Sequence, residues 1–209
     1  MAKVLVTSPH PDDEAIGCGG SICWHVERGD EVLVLFFTSG EGGGHGRGEA
    51  ATVEMREAEA HEAAAILGYS PHFWRLPDGG LTPARDLVER LQGLLAAEGV
   101  TLVYVTNARE MHPDHRAACE LVRQAVSGLP AERRPDVLMY EVWTPLARCD
   151  EIRDITHFVE MKRRAIRAHA SQCEQISFDD AILGLNRYRG ELLSWPEGDY
   201  AEMFERMVF

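Results

Sequence analysis

Short apolar runs rich in β-branched residues alternate along the chain with longer segments in which apolar residues recur every three or four positions. The apolar runs predict strands, and the amphipathic segments predict helices. The predicted strands cover residues 3–7, 31–38, 72–76, 101–106 and 137–142, and the helices cover 15–27, 49–67, 83–97 and 117–125. Strands that alternate with helices favour parallel pairing through right-handed crossovers. The pattern therefore predicts an α/β fold with a Rossmann-like, doubly wound, mostly parallel sheet flanked by helices.

The pattern weakens after Pro145, where one helix is predicted over 155–169 and a last helix over 200–207. Between them lies a segment rich in loop-forming residues that runs through Trp195-Pro196. We interpret this part as a C-terminal cap on the same core. Because 209 residues suffice for one substantial core, we expect a single domain over residues 1–209.

Composition narrows the class of protein. The net charge is -13, with 21 basic and 34 acidic residues, which opposes nucleic-acid binding and favours a neutral or cationic small molecule. The five cysteines are scattered without a Cys-x-x-Cys pair, so we expect free, buried thiols. With no signal-peptide pattern and no apolar run of membrane length, we expect a cytoplasmic protein that binds no membrane and is compatible with a homo-oligomer.

Two similar polar blocks carry the candidate chemistry: His10-Pro11-Asp12-Asp13-Glu14 and His112-Pro113-Asp114-His115. Each follows a predicted strand and precedes a predicted helix, so both should lie where the carboxyl ends of neighbouring strands meet. Together they supply three imidazoles and four carboxylates. This set suits a hydrolytic metal site that has three protein ligands and one open position, with groups to spare for acid and base roles.

Spacing alone leaves two points open. It does not decide which histidine of the second block binds metal, and the polar residues of one isolated block would more simply be helix caps and turn residues. The second block favours the metal site, although Glu14 keeps the cap interpretation. Because the first strand leads into His-Pro-Asp-Asp instead of a Gly-x-Gly turn, NAD or FAD binding is not expected.

The first block resembles the signature of the LmbE-like, or PIG-L, family of zinc-dependent N-deacetylases, and the second block resembles that family's second motif. The similarity extends along most of the chain in the family's order. Further matching positions are Thr38-Ser39-Gly40-Glu41, Arg56, Glu59, Leu67-Gly68, Leu76-Pro77-Asp78-Gly79, Lys162, His169 and Ser171-Gln172.

The resemblance implies a role for each polar residue. His10, Asp13 and His115 would bind Zn²⁺, with another divalent ion such as Fe²⁺ as an alternative occupant. Asp12 would be the general base that takes a proton from the attacking water. His112 would stabilise the oxyanion of the tetrahedral intermediate and assist the leaving amine.

Three further roles follow from the same resemblance. Asp114 would orient and support the imidazole of His112. Arg56 and Asp78 match positions that hydrogen-bond the hydroxyls of an N-acetylglucosamine ring. The residues themselves equally allow Arg56 to be a partner of Glu59 on an exposed helix face, and Asp78 to be a turn residue.

Glu110 departs from the family, because some sugar-deacetylating members have a tyrosine two residues before the second motif. We expect Glu110 either to attract a cationic substrate or to be a solvated loop acid. The glycine-rich segment 42–46 is expected to form a mobile rim or a surface loop. The aromatic residues of the cap could stack on a substrate, but packing on the sheet is favoured. These residues are Trp143, Tyr188, Trp195, Tyr200 and Phe204.

The expected activity is removal of an N-acetyl group from an N-acetylglucosamine-type small molecule, such as a thiol-cofactor precursor or a natural-product glycoside. One alternative is an amidase that cleaves a larger N-acyl group or a thiol conjugate. Another is a catalytically silent, metal-binding regulatory protein. Asp12 and His112 oppose the silent alternative, because a protein without catalysis needs no base or proton donor beside its metal ligands.

Overall fold

The sheet consists of five parallel strands extended at one edge by an antiparallel pair, in a computed structural model that describes residues 1–193 and 198–209. The parallel strands are β1 (Lys3–Ser8), β2 (Glu31–Thr38), β3 (Ser70–Leu76), β4 (Leu102–Thr106) and β5 (Asp136–Tyr140). The last two are β6 (Glu151–Asp154) and β7 (Ala201–Arg206). Their order across the sheet is β3-β2-β1-β4-β5-β7-β6.

Helices cover both faces of the sheet. They are α1 (Asp13–Glu27), α2 (Glu49–Leu67), α3 (Arg85–Glu98), α4 (Pro113–Ser127), α5 (Val159–Ala168), α6 (Ala170–Cys173) and α7 (Phe178–Leu193). One apolar core lies under α3 and α4, and the other lies under α1, α2 and α5. The α/β class, the parallel strands and the two helical layers predicted from the sequence pattern are confirmed.

The neighbouring strands β1 and β4 form the switch point of the sheet. The chain leaves β1 through α1 on one face and leaves β4 through α4 on the other face. Their carboxyl ends therefore diverge and leave a crevice, the usual ligand position in this architecture. His10 lies just after β1 and His112 just before α4, so both polar blocks face this crevice.

The C-terminal part differs from the sequence prediction. Residues 201–206 form the strand β7 instead of a helix, and α7 occupies much of the segment expected to be loop-rich. β7 is an inner strand, and Phe204 packs against Tyr104 with ring centroids 5.1 Å apart. Apolar residues at Met203, Phe204 and Met207 fit a helical spacing, but burial on both faces of the sheet decides for a strand. Trp195-Pro196 lies outside the described residues.

Helix α1 is kinked at Cys18, whose φ of -144° and ψ of 22° are not helical. The kink frees the backbone N–H groups of Gly20 and Ser21, which donate to the buried carboxylate of Glu202 at 2.9 and 2.8 Å. Lys162 donates to the same carboxylate at 2.6 Å. A distant strand and helix thus fix the course of α1 behind the first polar block.

The structure bears on the state of the cysteines and on the length and apolar character of the helices. The five cysteines are free thiols, as expected; Cys18, Cys23 and Cys119 are buried, whereas Cys149 is exposed and Cys173 is half-buried. Within the described residues, no helix combines the length and the apolar character needed to cross a bilayer.

Candidate metal centre and active site

Three side-chain atoms from the two polar blocks converge on one point. Nδ1 of His10 lies 3.2 Å from Oδ2 of Asp13, and Nε2 of His115 lies 3.2 Å from that oxygen and 3.3 Å from the His10 nitrogen. Tetrahedral zinc with bonds of 2.0–2.1 Å requires neighbouring ligand atoms to be about 3.3 Å apart. The three atoms therefore have the spacing of one face of a zinc tetrahedron.

The other nitrogen of each of these imidazoles faces a carboxylate. Nε2 of His10 lies 3.0 Å from Oδ1 of Asp78 and 3.5 Å from Oδ2 of Asp114. Nδ1 of His115 lies 3.6 Å from Oε2 of Glu110, and no closer partner is found for it among the described residues. Carboxylates that accept the outer N–H of metal-bound histidines are typical of metal centres, because they turn the inner nitrogen's lone pair towards the ion.

Two other groupings around His10 also bring ligand atoms together. His10, His112 and His115 also offer nitrogens within 4.8 Å of one another, as do the donor atoms of His10, Asp78 and Asp114. We favour His10, Asp13 and His115, because their three mutual distances of 3.2, 3.2 and 3.3 Å match a tetrahedral edge.

The charges of this cluster call for a cation. Burial opposes protonation of His10 and His115, but hydrogen bonds from His10 to Asp114, Asp13 and Asp78 raise its pKa well above the ordinary value. The charge of Asp13 and a hydrogen bond to it raise the pKa of His115 to about 9 against burial. A divalent ion would supply the positive charge that these protons otherwise provide.

Asp12 lies beside this cluster in a strained backbone conformation. Its φ of 132° is in a region that residues other than glycine rarely adopt. Burial raises the pKa of its carboxyl group to about 6, although the positive charge of Arg56 acts in the opposite direction. A carboxylate with a raised pKa next to a metal site is suited to accept a proton near neutral pH.

Glu14 holds Asp12 in this conformation. Oε2 of Glu14 accepts the backbone N–H of Asp12 at 3.0 Å. Its other oxygen accepts the hydroxyl of Tyr69 at 3.0 Å and lies 3.2 Å from Nε2 of His169. Glu14 is fully buried, so the cap interpretation is correct for one oxygen only: the other belongs to a network that joins α1 to α2 and α5.

His112 caps α4 with its ring, because its Nδ1 accepts the backbone N–H of Asp114 at 3.2 Å. This bond places the ring proton on Nε2, and the side chain lines the cleft described below. Burial and the neighbouring His10 hold the pKa of His112 below its ordinary value, which favours the neutral ring. Its centroid lies 4.8 Å from that of His10.

The carboxylate of Asp114 accepts no hydrogen bond from the ring of His112, although its charge acts to raise the pKa of that ring. Its oxygens accept the backbone N–H groups of Gly79 and Leu81 at 2.8 and 3.2 Å, and one of them faces His10. The expected contact with the ring of His112 is replaced by the bond from the backbone of Asp114. The carboxylate points away because the Gly79 turn approaches it from the neighbouring loop.

Arg56 and Asp78 both line the cleft, but each has protein partners. Arg56 is buried and donates to Gly40 O at 2.9 Å, Pro11 O at 2.6 Å and Asp12 Oδ2 at 3.2 Å. The exposed-face interpretation of Arg56 is therefore wrong, and Glu59 instead accepts bonds from Ser171. Asp78 accepts the backbone N–H of Gly42 at 2.9 Å besides facing His10.

Glu110 is neither solvated nor directed at a substrate, which corrects both expectations. It is 1% exposed, and its oxygens accept the backbone N–H groups of Val142, Trp143 and Thr144 at 3.0 to 3.2 Å. It also faces His115. The sequence signal was weak, since an acid before the motif gives no indication of a loop that lies 32 residues further along the chain.

A cleft of about 460 Å³ opens over these residues. Its lining includes His10, Asp12, Asp13 and His112 together with Arg56 and Asp78. The other lining residues are Ile16, Gly42, Gly43, His45, Gly79, Trp143, Gln172, Gln175, Ile176 and Phe178. The glycine-rich segment is tied down at this edge, because Gly43 O accepts Nε2 of Gln172 at 3.1 Å. Trp143, for which both stacking on a substrate and packing on the sheet were expected as alternatives, lines the cleft, and so does Gln172, one of the positions that resemble the family.

The chain is similar in sequence to proteins named as deacetylases, and the similarity includes the residues of this site. The family model described as PIG-L, GlcNAc-PI de-N-acetylase, matches residues 5–126, which include both polar blocks. Diacetylchitobiose deacetylase of Thermococcus kodakarensis is 33% identical over 193 residues, which cover 82% of this chain and 70% of that protein. A Bacillus cereus protein named "Probable N-acetyl-alpha-D-glucosaminyl L-malate deacetylase 2" is 28% identical, with 92% of this chain and 93% of that protein covered.

One similar protein of known structure is named for a different reaction. The crystal structure of the 4-carboxy-2-hydroxymuconate hydratase of Pseudomonas putida KT2440 has a TM-score of 0.87 and 25% identity, covering 100% of this chain and 97% of that chain. The same fold is therefore found in proteins named for amide hydrolysis and for hydration. The match over residues 5–126 and the 33% identity place this chain in the PIG-L family of de-N-acetylases.

Proposed function

We propose that this protein is a zinc-dependent hydrolase that removes the N-acetyl group from an N-acetylglucosamine-type small molecule. The observation that carries the proposal is the triangle of His10 Nδ1, Asp13 Oδ2 and His115 Nε2, with distances of 3.2 to 3.3 Å. Asp12 and His112 line the cleft beside it. A hydrolytic site needs this combination of metal ligands, base and oxyanion donor.

The donor set suits zinc. Two imidazoles and one carboxylate leave a fourth tetrahedral position open, as in other hydrolytic zinc sites. When bound, zinc would polarise a carbonyl oxygen and lower the pKa of a water molecule to about 7. Fe²⁺ is the alternative occupant, since imidazole and carboxylate ligands also bind it.

Asp12 acts as the general base in this proposal. Its carboxylate accepts a proton as the water oxygen bonds to the acetamide carbon. Arg56 donates to Oδ2 of Asp12 and Glu14 holds its backbone, so the carboxylate has little freedom to turn away. Because the base is already held within reach of the water, the proton transfer does not depend on a collision between separate molecules.

His112 acts as the oxyanion donor. Its Nδ1 is occupied by the backbone of Asp114, so the Nε2–H is the group available to the developing negative charge on the carbonyl oxygen. When the C–N bond breaks, the proton that Asp12 accepted from the water passes to the amine nitrogen, and the amine and acetate are released. Amides have poor leaving groups, so both a base and a proton donor are needed.

The substrate class rests on the relatives. Proteins named for diacetylchitobiose and for N-acetylglucosaminyl malate both act on N-acetylated glucosamine units by their names, which supports the same unit here. Arg56 and Asp78, which line the cleft, would contact its hydroxyls. The net charge of -13 supports a small molecule over a nucleic acid, and the free thiols fit a reducing compartment such as the cytoplasm.

The test combines metal analysis with acetate release. The wild-type protein should hold about one zinc ion per chain and release acetate from N-acetylglucosamine conjugates. The His10→Ala, Asp13→Ala variant should lose the metal, whereas Asp12→Asn should keep it and lose at least about 99% of the activity.

Each alternative predicts a distinct result. Turnover of longer N-acyl conjugates without acetate release would identify an amidase. Consumption of an unsaturated carboxylic acid without amide cleavage would identify a hydratase, as the Pseudomonas putida relative is named. A metal-loaded protein that converts none of these compounds would be the silent, regulatory alternative.

A further inference from the structure

The lining of the cleft combines polar and apolar groups. Asp78, Arg56 and the backbone of the glycine-rich segment are polar. Four apolar side chains also line the cleft, and we name them together the apolar wall. These are Ile16, Trp143, Ile176 and Phe178.

Trp143 is the most prominent member of the apolar wall. Its ring lies 5.4 Å from that of Phe178 in an edge-to-face arrangement, and 41% of the residue stays exposed. The backbone around it is fixed, because Glu110 accepts N–H groups from residues 142, 143 and 144. An indole that is rigidly held and still exposed at a cleft provides a flat surface for a ring of the ligand.

The charges of the cleft disfavour a carboxylate on the ligand. Among the described lining residues, Arg56 is the one Lys or Arg, and its Nη1 and Nη2 already donate to Gly40, Pro11 and Asp12. Asp12, Asp13 and Asp78 also line the cleft. A carboxylate on the ligand would compete with Asp12 for this one guanidinium and would meet like charges.

We propose that the apolar wall is a binding subsite for a neutral ring linked to the N-acetylated glucosamine unit, and that this ring stacks on Trp143. The ring can be a second sugar, which offers an apolar C–H face, or an aryl group. The inference rests on the proposed function and specifies its substrate class: a neutral, two-ring N-acetylglucosaminide in preference to a conjugate of a dicarboxylic acid.

Steady-state kinetics tests the proposal on the zinc-loaded enzyme. The substrates are N-acetylglucosamine, N,N'-diacetylchitobiose, an aryl N-acetylglucosaminide and N-acetylglucosaminyl malate. Trp143→Ala should raise KM about three- to tenfold for the two-ring substrates and leave N-acetylglucosamine within about twofold. Trp143→Phe should restore most of the loss, and Leu192→Ala, an exposed apolar truncation on α7 outside the cleft, should match the wild type for all substrates.

A larger effect of Trp143→Ala on the two-ring substrates than on N-acetylglucosamine would support the proposal. Equal effects of Trp143→Ala on one-ring and two-ring substrates would overturn the proposal, as would a wild-type preference for the malate conjugate. If Trp143→Ala raises KM more for diacetylchitobiose than for the aryl glycoside, the ring that binds there is a second sugar. The reverse result identifies an aryl ring.

Calorimetric binding to the Asp12→Asn protein separates this inference from the proposed reaction. The added Trp143→Ala change should weaken binding of diacetylchitobiose or the aryl glycoside about three- to tenfold, whether or not the wild type releases acetate. If the wild type releases no acetate but Trp143→Ala weakens two-ring binding in this way, the deacetylase proposal is rejected and the subsite proposal stands. Acetate release without the pattern, or no binding of any two-ring compound, would reject the subsite.

Discussion

Oε2 of Glu14 lies 3.0 Å from the backbone nitrogen of Asp12, a residue whose φ is 132°. Such a conformation costs about 1–3 kcal/mol in a residue other than glycine and persists only where the surroundings enforce it. Glu14 enforces it because Tyr69 and His169 hold the other carboxylate oxygen. The direction of the proposed base is thus determined by a buried network behind it.

Glu14→Ala should lower kcat about tenfold or more, because even a small displacement of the base reduces the rate strongly. Glu14→Gln keeps an acceptor for the Asp12 N–H and should retain more activity than Glu14→Ala. Kinetics and thermal unfolding measured on both variants check this expectation. If Glu14→Ala has the wild-type kcat, the hydrogen bond from the Asp12 N–H to Glu14 has no catalytic role.

The contact between Glu110 and His115 predicts an effect on metal affinity. Glu110→Gln removes the charge that favours a proton on Nδ1 of His115, so zinc affinity should fall about 10- to 100-fold. Competition with a chromophoric chelator measures this. Glu62→Gln, at an exposed position on α2, is the matched control. Unchanged zinc affinity in Glu110→Gln would show that Glu110 acts only through its hydrogen bonds to the backbone of residues 142–144.

Arg56 should control the pH dependence of the reaction. A general base works when deprotonated, so kcat/KM should rise with pH through the pKa of Asp12. The charge of Arg56 lowers this pKa, which burial raises to about 6. Removing the charge in Arg56→Gln should raise the pKa and move the acid limb of the kcat/KM profile to higher pH.

Arg56→Lys keeps the positive charge and is the control for this shift. Its acid limb should stay near that of the wild type, even if the lysine lowers kcat/KM by losing hydrogen bonds. Coincident acid limbs in wild type and Arg56→Gln would show that Asp12 does not produce the limb.

The buried pair Lys162–Glu202 should contribute to stability and not to catalysis. Both residues are almost fully buried, and Lys162→Met would leave the carboxylate without its cation. We expect a loss of about 3–5 kcal/mol in the free energy of unfolding, measured with denaturant. Lys3→Met, which breaks an exposed pair with Glu31, should have no measurable effect. Equal stabilities of the two variants would contradict this assignment.

The sequence pattern was sufficient for the architecture that positions the site. Strand β1 is a continuous apolar run that ends just before His10, and β4 ends shortly before His112, so parallel pairing alone places both blocks at one edge. The resemblance to the family then supplied a role for each polar residue. These signals are local in sequence, which is why a single chain reveals them.

Tertiary structure decided what depends on distant partners. Glu14 looks like an ordinary helix cap until Tyr69 and His169, 55 and 155 residues away, surround it. Glu110 looks like a loop acid until the chain after β5 folds over it. Residues 201–206 have apolar spacing that fits a helix, but the open edge of β5 makes them a strand. Buried polar groups and sheet edges are satisfied by whichever segment the fold brings near, and local sequence does not encode that partner.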